Sequence, residues 1–210
     1  MNTHSSERPS WLKRLLFRTW QTYVATVATL FGRKQAALEA YRRIAMMEPE
    51  NLNALATIGN LLAETGNRAG AIETFEYLLA RHPNHAESWF NLGYLREQNE
   101  ELEAAERCFR RAVAIRPSID RAWYGLGLVL IRAGRLREAV DALKKNTQLQ
   151  PMSPYGWYQL GMTYHHLGRD DESKKICDEL RKFEPRYAAT LERDMHNTPP
   201  RAASITGSTT

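Results

Sequence analysis

Thiols, acidic residues near the N-terminus and long apolar runs are what this chain of 210 residues has least of, and each shortage closes off a class of protein. Its two cysteines, Cys108 and Cys177, lie far apart and neither belongs to a CxxC pair. A disulfide framework is therefore excluded, and a reducing, cytoplasmic setting is the expectation. The uncharged stretch from Thr19 to Phe31 covers 13 residues, short of the ~20 that a membrane-spanning helix needs. It begins late and carries Thr and Gln, which also argues against a cleaved signal. No glycine-rich phosphate loop, GxSxG elbow or HExxH helix occurs, so no enzyme, cofactor or small-molecule substrate is expected. Histidines gather at His82-Pro83-Asn84-His85 and at His165-His166. A structural zinc needs four converging ligands and no cysteine stands near either group, so no metal is expected.

Charge narrows the choice further. A formal net charge of +5 raises nucleic acid as a partner, but the excess is not spread along the chain. From Leu52 to Pro185, 18 Lys and Arg stand against 18 Asp and Glu, whereas residues 1 to 51 hold eight basic side chains and four acidic ones. The body is neutral, and a neutral body offers no basic groove for a phosphate backbone.

What the sequence does have is a repeat. Pro49, Pro83, Pro117, Pro151 and Pro185 follow one another at intervals of 34 residues. Gly59, Gly93, Gly127 and Gly161 keep the same step, and Trp89, Trp123 and Trp157 each stand four residues before one of those glycines. Ala37, Ala71, Ala105 and Ala139 share another phase, each followed four residues later by Tyr41, Phe75, Phe109 or Leu143. A period of this length marks stacked supersecondary units that cannot bury their faces alone. The W-x2-L spacing puts both side chains on one helical face. The glycine and the later alanine remove bulk where two helices cross. Gly32, Gly66, Gly134 and Gly168 mark the turns inside each pair, and each proline stops the second helix.

Trp157-x2-Leu160-Gly161-x2-Tyr164, with the phased A-x3-F and proline positions, resembles the tetratricopeptide family. That resemblance implies an all-α fold: a right-handed α-solenoid of about five helix-turn-helix units over residues 18–187. The units span 18–51, 52–85, 86–119, 120–153 and 154–187. Tyr187, Leu191 and Met195 continue an apolar stripe at spacings of four, which predicts a capping helix over 188–196. The tail 197–210 lacks the apolar residues to order itself. Several positions depart from the pattern. Gln21 stands for the tryptophan of the first unit, with Val24 and Ala25 for Leu-Gly. Arg96 replaces an aromatic or Leu, Asn146 replaces a small packed residue, and Ser173 and Cys177 replace Ala and Phe. Asn99-Glu100 replaces a turn glycine, and Asn is the residue expected to tolerate the left-handed conformation there.

In the tetratricopeptide fold the first helix of each pair lines the concave side. The resemblance therefore implies a partner-binding groove of Asn60, Phe90, Asn91, Tyr94, Arg121, Tyr124, Leu128, Tyr155, Tyr158, Met162 and His165, holding a peptide or helical segment of another protein. Tyrosine and phenylalanine supply contact area with little entropy to lose, which makes Phe90, Tyr94, Tyr124, Tyr155 and Tyr158 the centre of that expectation. Packing of these rings against one another is the competing use. Some family members clamp a C-terminal carboxylate with Lys or Arg and Asn. Asn60, Asn91 and Arg121 resemble part of that set, while Glu87 opposes it. The chain thus reads as a non-catalytic adaptor or assembly scaffold.

The segment 1–17 is basic and amphipathic, with Trp11, Leu12, Leu15, Leu16 and Phe17 interleaved with Lys13, Arg14 and Arg18. Two uses fit it: an extension of the first helix whose apolar face covers the open end of the solenoid, or docking on an acidic membrane surface or partner through Trp11, Lys13, Arg14, Leu15 and Arg18. The second use would make the protein a scaffold recruited peripherally to the inner face of a membrane.

Overall fold

The computed structural model describes residues 10–199, all of whose regular structure is helical. The side chains of Trp11, Lys13 and Arg14 and the expected tail beyond Pro199 lie outside the described residues. The chain forms two compact units, one through Asn84 and one from His85 onward.

The first unit holds α1 (Ser10–Leu30), α2 (Lys34–Met47), α3 (Leu52–Glu64) and α4 (Arg68–Arg81). α1 packs on α2, α2 on α3, and α3 on α4. Small residues make the crossings close. Ala25, Ala40, Ile44 and Ala54 form one buried cluster, and the Phe75 ring lies where a Cβ on Gly59 would sit, 2.7 Å away. Gly32 and Gly66 turn the chain with φ of +64° and +85°, a conformation that suits glycine because it has no Cβ to clash. Asn51 and Asn67 then cap α3 and α4, each accepting a hydrogen bond from the backbone N–H three residues on. α1 runs through the expected boundary at 17/18 without a break. It extends the first helix, but Leu15, Leu16 and Phe17 remain exposed rather than covered.

The second unit holds α5 (Ala86–Gln98), α6 (Leu102–Ile115), α7 (Asp120–Arg132), α8 (Leu136–Leu149), α9 (Pro154–His166), α10 (Asp170–Phe183) and α11 (Pro185–Asn197). Each helix packs on the next, and the first helices α5, α7, α9 and α11 also touch in that order. Phe109 of α6 is wedged between two glycines, Gly93 of α5 and Gly125 of α7; a Cβ on either would meet its ring below 3.0 Å. Trp123 and Trp157 donate their indole N–H groups to the carbonyls of Pro117 and Pro151 at 2.8 and 2.9 Å. The tryptophan and the proline of the repeat are thus joined, each indole pinning the turn that precedes its own helix.

The departures from the repeat have local reasons. At the α5–α6 turn the positive φ of 63° falls on Glu100, whereas Asn99 stays at −89°. Asn was expected to take the strained position, but Glu100 holds the phase of the turn glycines and so inherits their geometry. Asn146 is buried and donates to the Asp120 carbonyl at 2.9 Å. Room for it comes from Gly156, where a Cβ would stand 2.0 Å from its side-chain oxygen. The Cys177 position, normally filled by a large ring, is small because Leu191 of α11 fills that volume instead: a Cβ on Gly161 would meet Leu191 at 2.5 Å. Met195 closes over the same place, its sulfur 3.2 Å from Ser173 Oγ and 3.9 Å from Cys177 Sγ. α11 starts at Pro185, earlier than the 188 expected. The Asn or Ser that follows the earlier prolines is absent, and proline is itself favoured in the first turn of a helix.

Candidate protein-interaction surface

The first helices of the second unit present a row of tyrosines built from recurring positions of the repeat. Tyr94 on α5 and Tyr155 on α9 are the most open, with 52% and 59% of their surface exposed. Tyr124 on α7 is half-buried and shares a hydrogen bond with Gln159; burial raises its hydroxyl above the ordinary pKa of tyrosine. Phe90 is half-buried, its ring 6.1 Å from that of Phe109 and covered on one side by Arg121, whose guanidinium lies 4.9 Å from the ring centre. A cation over an aromatic face is held by the ring quadrupole, so Arg121 is exposed but not idle. Asn91, Leu128 and Met162 are half-buried beside these rings in sequence, and Met162 packs on the core around Leu160.

α11 completes the row. Tyr187 meets Tyr155 edge-on at 5.6 Å, and the two hydroxyls share a hydrogen bond that, with burial, raises the Tyr187 pKa. Tyr158 donates to Asp194 Oδ2 at 2.7 Å. Burial, and then the Asp194 hydrogen bond and charge, push the Tyr158 hydroxyl up to about 12. The Asp194 carboxyl moves the other way, pulled below its usual range chiefly by that same hydroxyl. These two contacts escaped sequence reading, because the repeat phase of Tyr155 falls on Ala189 and not on Tyr187.

One expectation needs correction. His165 does not line an open face: it is buried, with Nδ1 3.1 Å from Asp170 Oδ1 and Nε2 2.6 Å from the Thr198 carbonyl oxygen. Its position in the repeat faces outward only until the start of α10 and the residue after α11 close over it. Asn60 is exposed and belongs to the first unit. The carboxylate clamp fares no better. Glu87 is paired with Arg116 and lies 3.6 Å from His85. Partial burial pushes the Glu87 carboxyl up, but its own backbone N–H, Arg116 and His85 outweigh that and hold it low. Arg132 and Glu97 neutralise each other at 2.9 Å. The face is aromatic, and much of its charge is internally balanced.

Of the terminal candidates, Leu15 is exposed and Arg18 donates to Glu48 at 3.1 Å. Among the described residues no helix is long and apolar enough to cross a membrane.

Paired helices at a step of 34 residues, with phased turn glycines and tryptophans pinned to prolines, define a tetratricopeptide solenoid. Within that class the chain belongs to the family of the cilia and flagella-associated protein 70 C-terminal domain, whose model matches residues 14–192. No curated protein matches it. Among solved structures it is similar to the MamA protein, at 24% identity over 82% of this chain and 94% of that one, with a TM-score of 0.73. MamA 41-end from Desulfovibrio magneticus RS-1 shares 23% identity over 85% and 96% of the two chains, with a TM-score of 0.70. YrrB, described as a TPR protein with an unusual peptide-binding site, shares 20% identity over 80% and 88%, with a TM-score of 0.70. At these identities the likeness is one of fold.

Proposed function

We propose that this chain is a non-catalytic protein-binding scaffold, and that the row of first helices in the second unit grips an extended or helical segment of a partner protein. The observation that carries this reading is the exposure of Tyr94 and Tyr155 on a face where the fold already satisfies their neighbours. Phe90 and Tyr158 are held by Arg121 and Asp194, and Tyr155 keeps more than half of its surface open while its edge-on contact with Tyr187 steadies the ring. Rigid tyrosines of this kind give contact area at little entropic cost. The peptide-binding site in the description of YrrB supports the same use of the fold, and the family's name supports a setting in cilia or flagella.

Peptides selected against the immobilised protein, then measured by fluorescence anisotropy, test this. Changing Tyr94→Ala together with Tyr155→Ala should weaken the selected peptide by roughly tenfold or more, while circular dichroism stays unchanged. Equal affinity in a folded double variant would remove the proposal. Recruitment to a membrane surface is less well supported, because Arg18 is committed to Glu48 and Lys34 to Glu64 rather than to an outward cationic face.

A further inference from the structure

α1 is apolar on two opposite sides. Gln21, Ala25 and Ala28 are buried on the side that meets the rest of the first unit. At 3.6 residues per turn, Leu16, Trp20, Tyr23, Val27 and Leu30 fall on the other side, at alternating steps of four and three. Trp20, Tyr23 and Leu30 are 60%, 62% and 80% exposed, and Phe31, just past the helix end, is 72% exposed. The Trp20 and Tyr23 rings lean together with centroids 6.0 Å apart. A single exposed apolar residue needs no explanation, but a row along four turns of one helix does.

Both spacing and charge bear on what covers it. Steps of four and three are the seam of paired helices, in which side chains of one helix enter the gaps of the other. No charged residue stands between Arg18 and Arg33, and Arg18 is engaged by Glu48. The threonines beside the seam, Thr19, Thr22 and Thr26, bond back to carbonyls of their own helix. Like charges brought face to face are the usual obstacle to a self-complementary contact, and between Leu16 and Leu30 the one charged residue is Arg18, which Glu48 engages. A helix lying on an anionic membrane carries lysine and arginine along the length of its polar face; in α1 the basic residues Lys13, Arg14 and Arg18 stop in the first half, and from Thr19 to Leu30 the exposed polar positions are threonine. Weighted by exposure, the large side chains leave roughly 600 Å² of apolar surface uncovered, close to the ~800 Å² that each partner contributes to a standard interface.

We propose that this face is a homodimer interface, in which α1 pairs antiparallel with α1 of a second copy of the chain. The two-fold axis passes between Trp20 and Tyr23, so that Trp20 of each copy meets Tyr23 of the other and Leu16 meets Val27. Its residues belong to the first unit, and those of the tyrosine row to the second.

Sedimentation equilibrium of the full chain from low to high micromolar concentration tests the pairing. The wild type should approach twice its monomer mass. A Trp20→Glu, Tyr23→Glu variant places like charges opposite one another and should weaken the dimer by roughly tenfold or more, with unchanged helicity. A Trp20→Lys, Tyr23→Lys variant should fail in the same way, and an equimolar mixture of the two variants should recover the dimer. A wild type that stays monomeric, or a glutamate variant that dimerises as well as the wild type, overturns the proposal. So does a monomeric wild type that instead floats with phosphatidylserine vesicles, which would give the face to lipid.

Discussion

The first and last described helices, α1 and α11, both flank paired helices of the same repeat, yet they finish their apolar surfaces in opposite ways. α11 buries Leu191 completely in the volume that Cys177 leaves free, packs Tyr187 and Met195 around it, and ties Tyr158 through Asp194. α1 buries Gln21 and two alanines, Ala25 and Ala28, and leaves its large apolar side chains in the open. Each of the two helices has an apolar face to cover. The difference teaches that it can be covered from within, by altering the neighbouring repeat to receive a helix, or left for another molecule.

Breaking the closed side should have the largest effect. Leu191→Ala removes a fully buried side chain at the centre of the cap and should cost about 3 kcal/mol in urea unfolding. The matching change on the open side, Trp20→Ala, should cost the monomer less than ~0.5 kcal/mol; similar losses at both positions would abolish the contrast. A smaller effect is expected on the inner side of α1, where the buried Gln21 Oε1 has no hydrogen-bond partner. Gln21→Leu should stabilise the first unit by about 1 kcal/mol, since an unsatisfied buried acceptor is replaced by carbon. The smallest sharpens the turn chemistry. Glu100→Gly relieves a left-handed non-glycine residue and should raise stability by roughly 0.5 kcal/mol, against a loss of similar or greater size for Gly66→Glu at the equivalent turn.

The repeat was legible because each phased residue does its work with neighbours at a fixed distance along the chain. Trp157 finds the Pro151 carbonyl six positions back, and Gly127 admits Leu143 from the paired helix. Positions that answer to something outside the repeat were not legible. His165 looked outward by its place in the helix, but Thr198 and Asp170 enclose it. Tyr158 looked available, but its hydroxyl is committed to Asp194, 36 residues away. Cys177 read as a small buried residue, which it is; its purpose emerges only with Leu191 in place. The left-handed turn was assigned to Asn99 on side-chain preference, whereas phase alone placed it at Glu100. For the tyrosine row, sequence named the rings but not their exposure: Tyr94 and Tyr155 keep more than half of their surface open, Tyr155 while also meeting Tyr187.

Asn146 and Gly156 act as a key and its slot. In the other units the residue aligned with Gly156 is Trp20, Ala54, Ser88 or Ala122, each carrying the Cβ that would collide with the Asn146 side chain. An in-frame duplication of the fourth unit would set Asn146 against Ala122 of the copy, and deletion of the fifth would take away its slot. Repeats that look interchangeable by their period are therefore not so at this junction, where the fourth unit is matched to the fifth by Asn146 and Gly156.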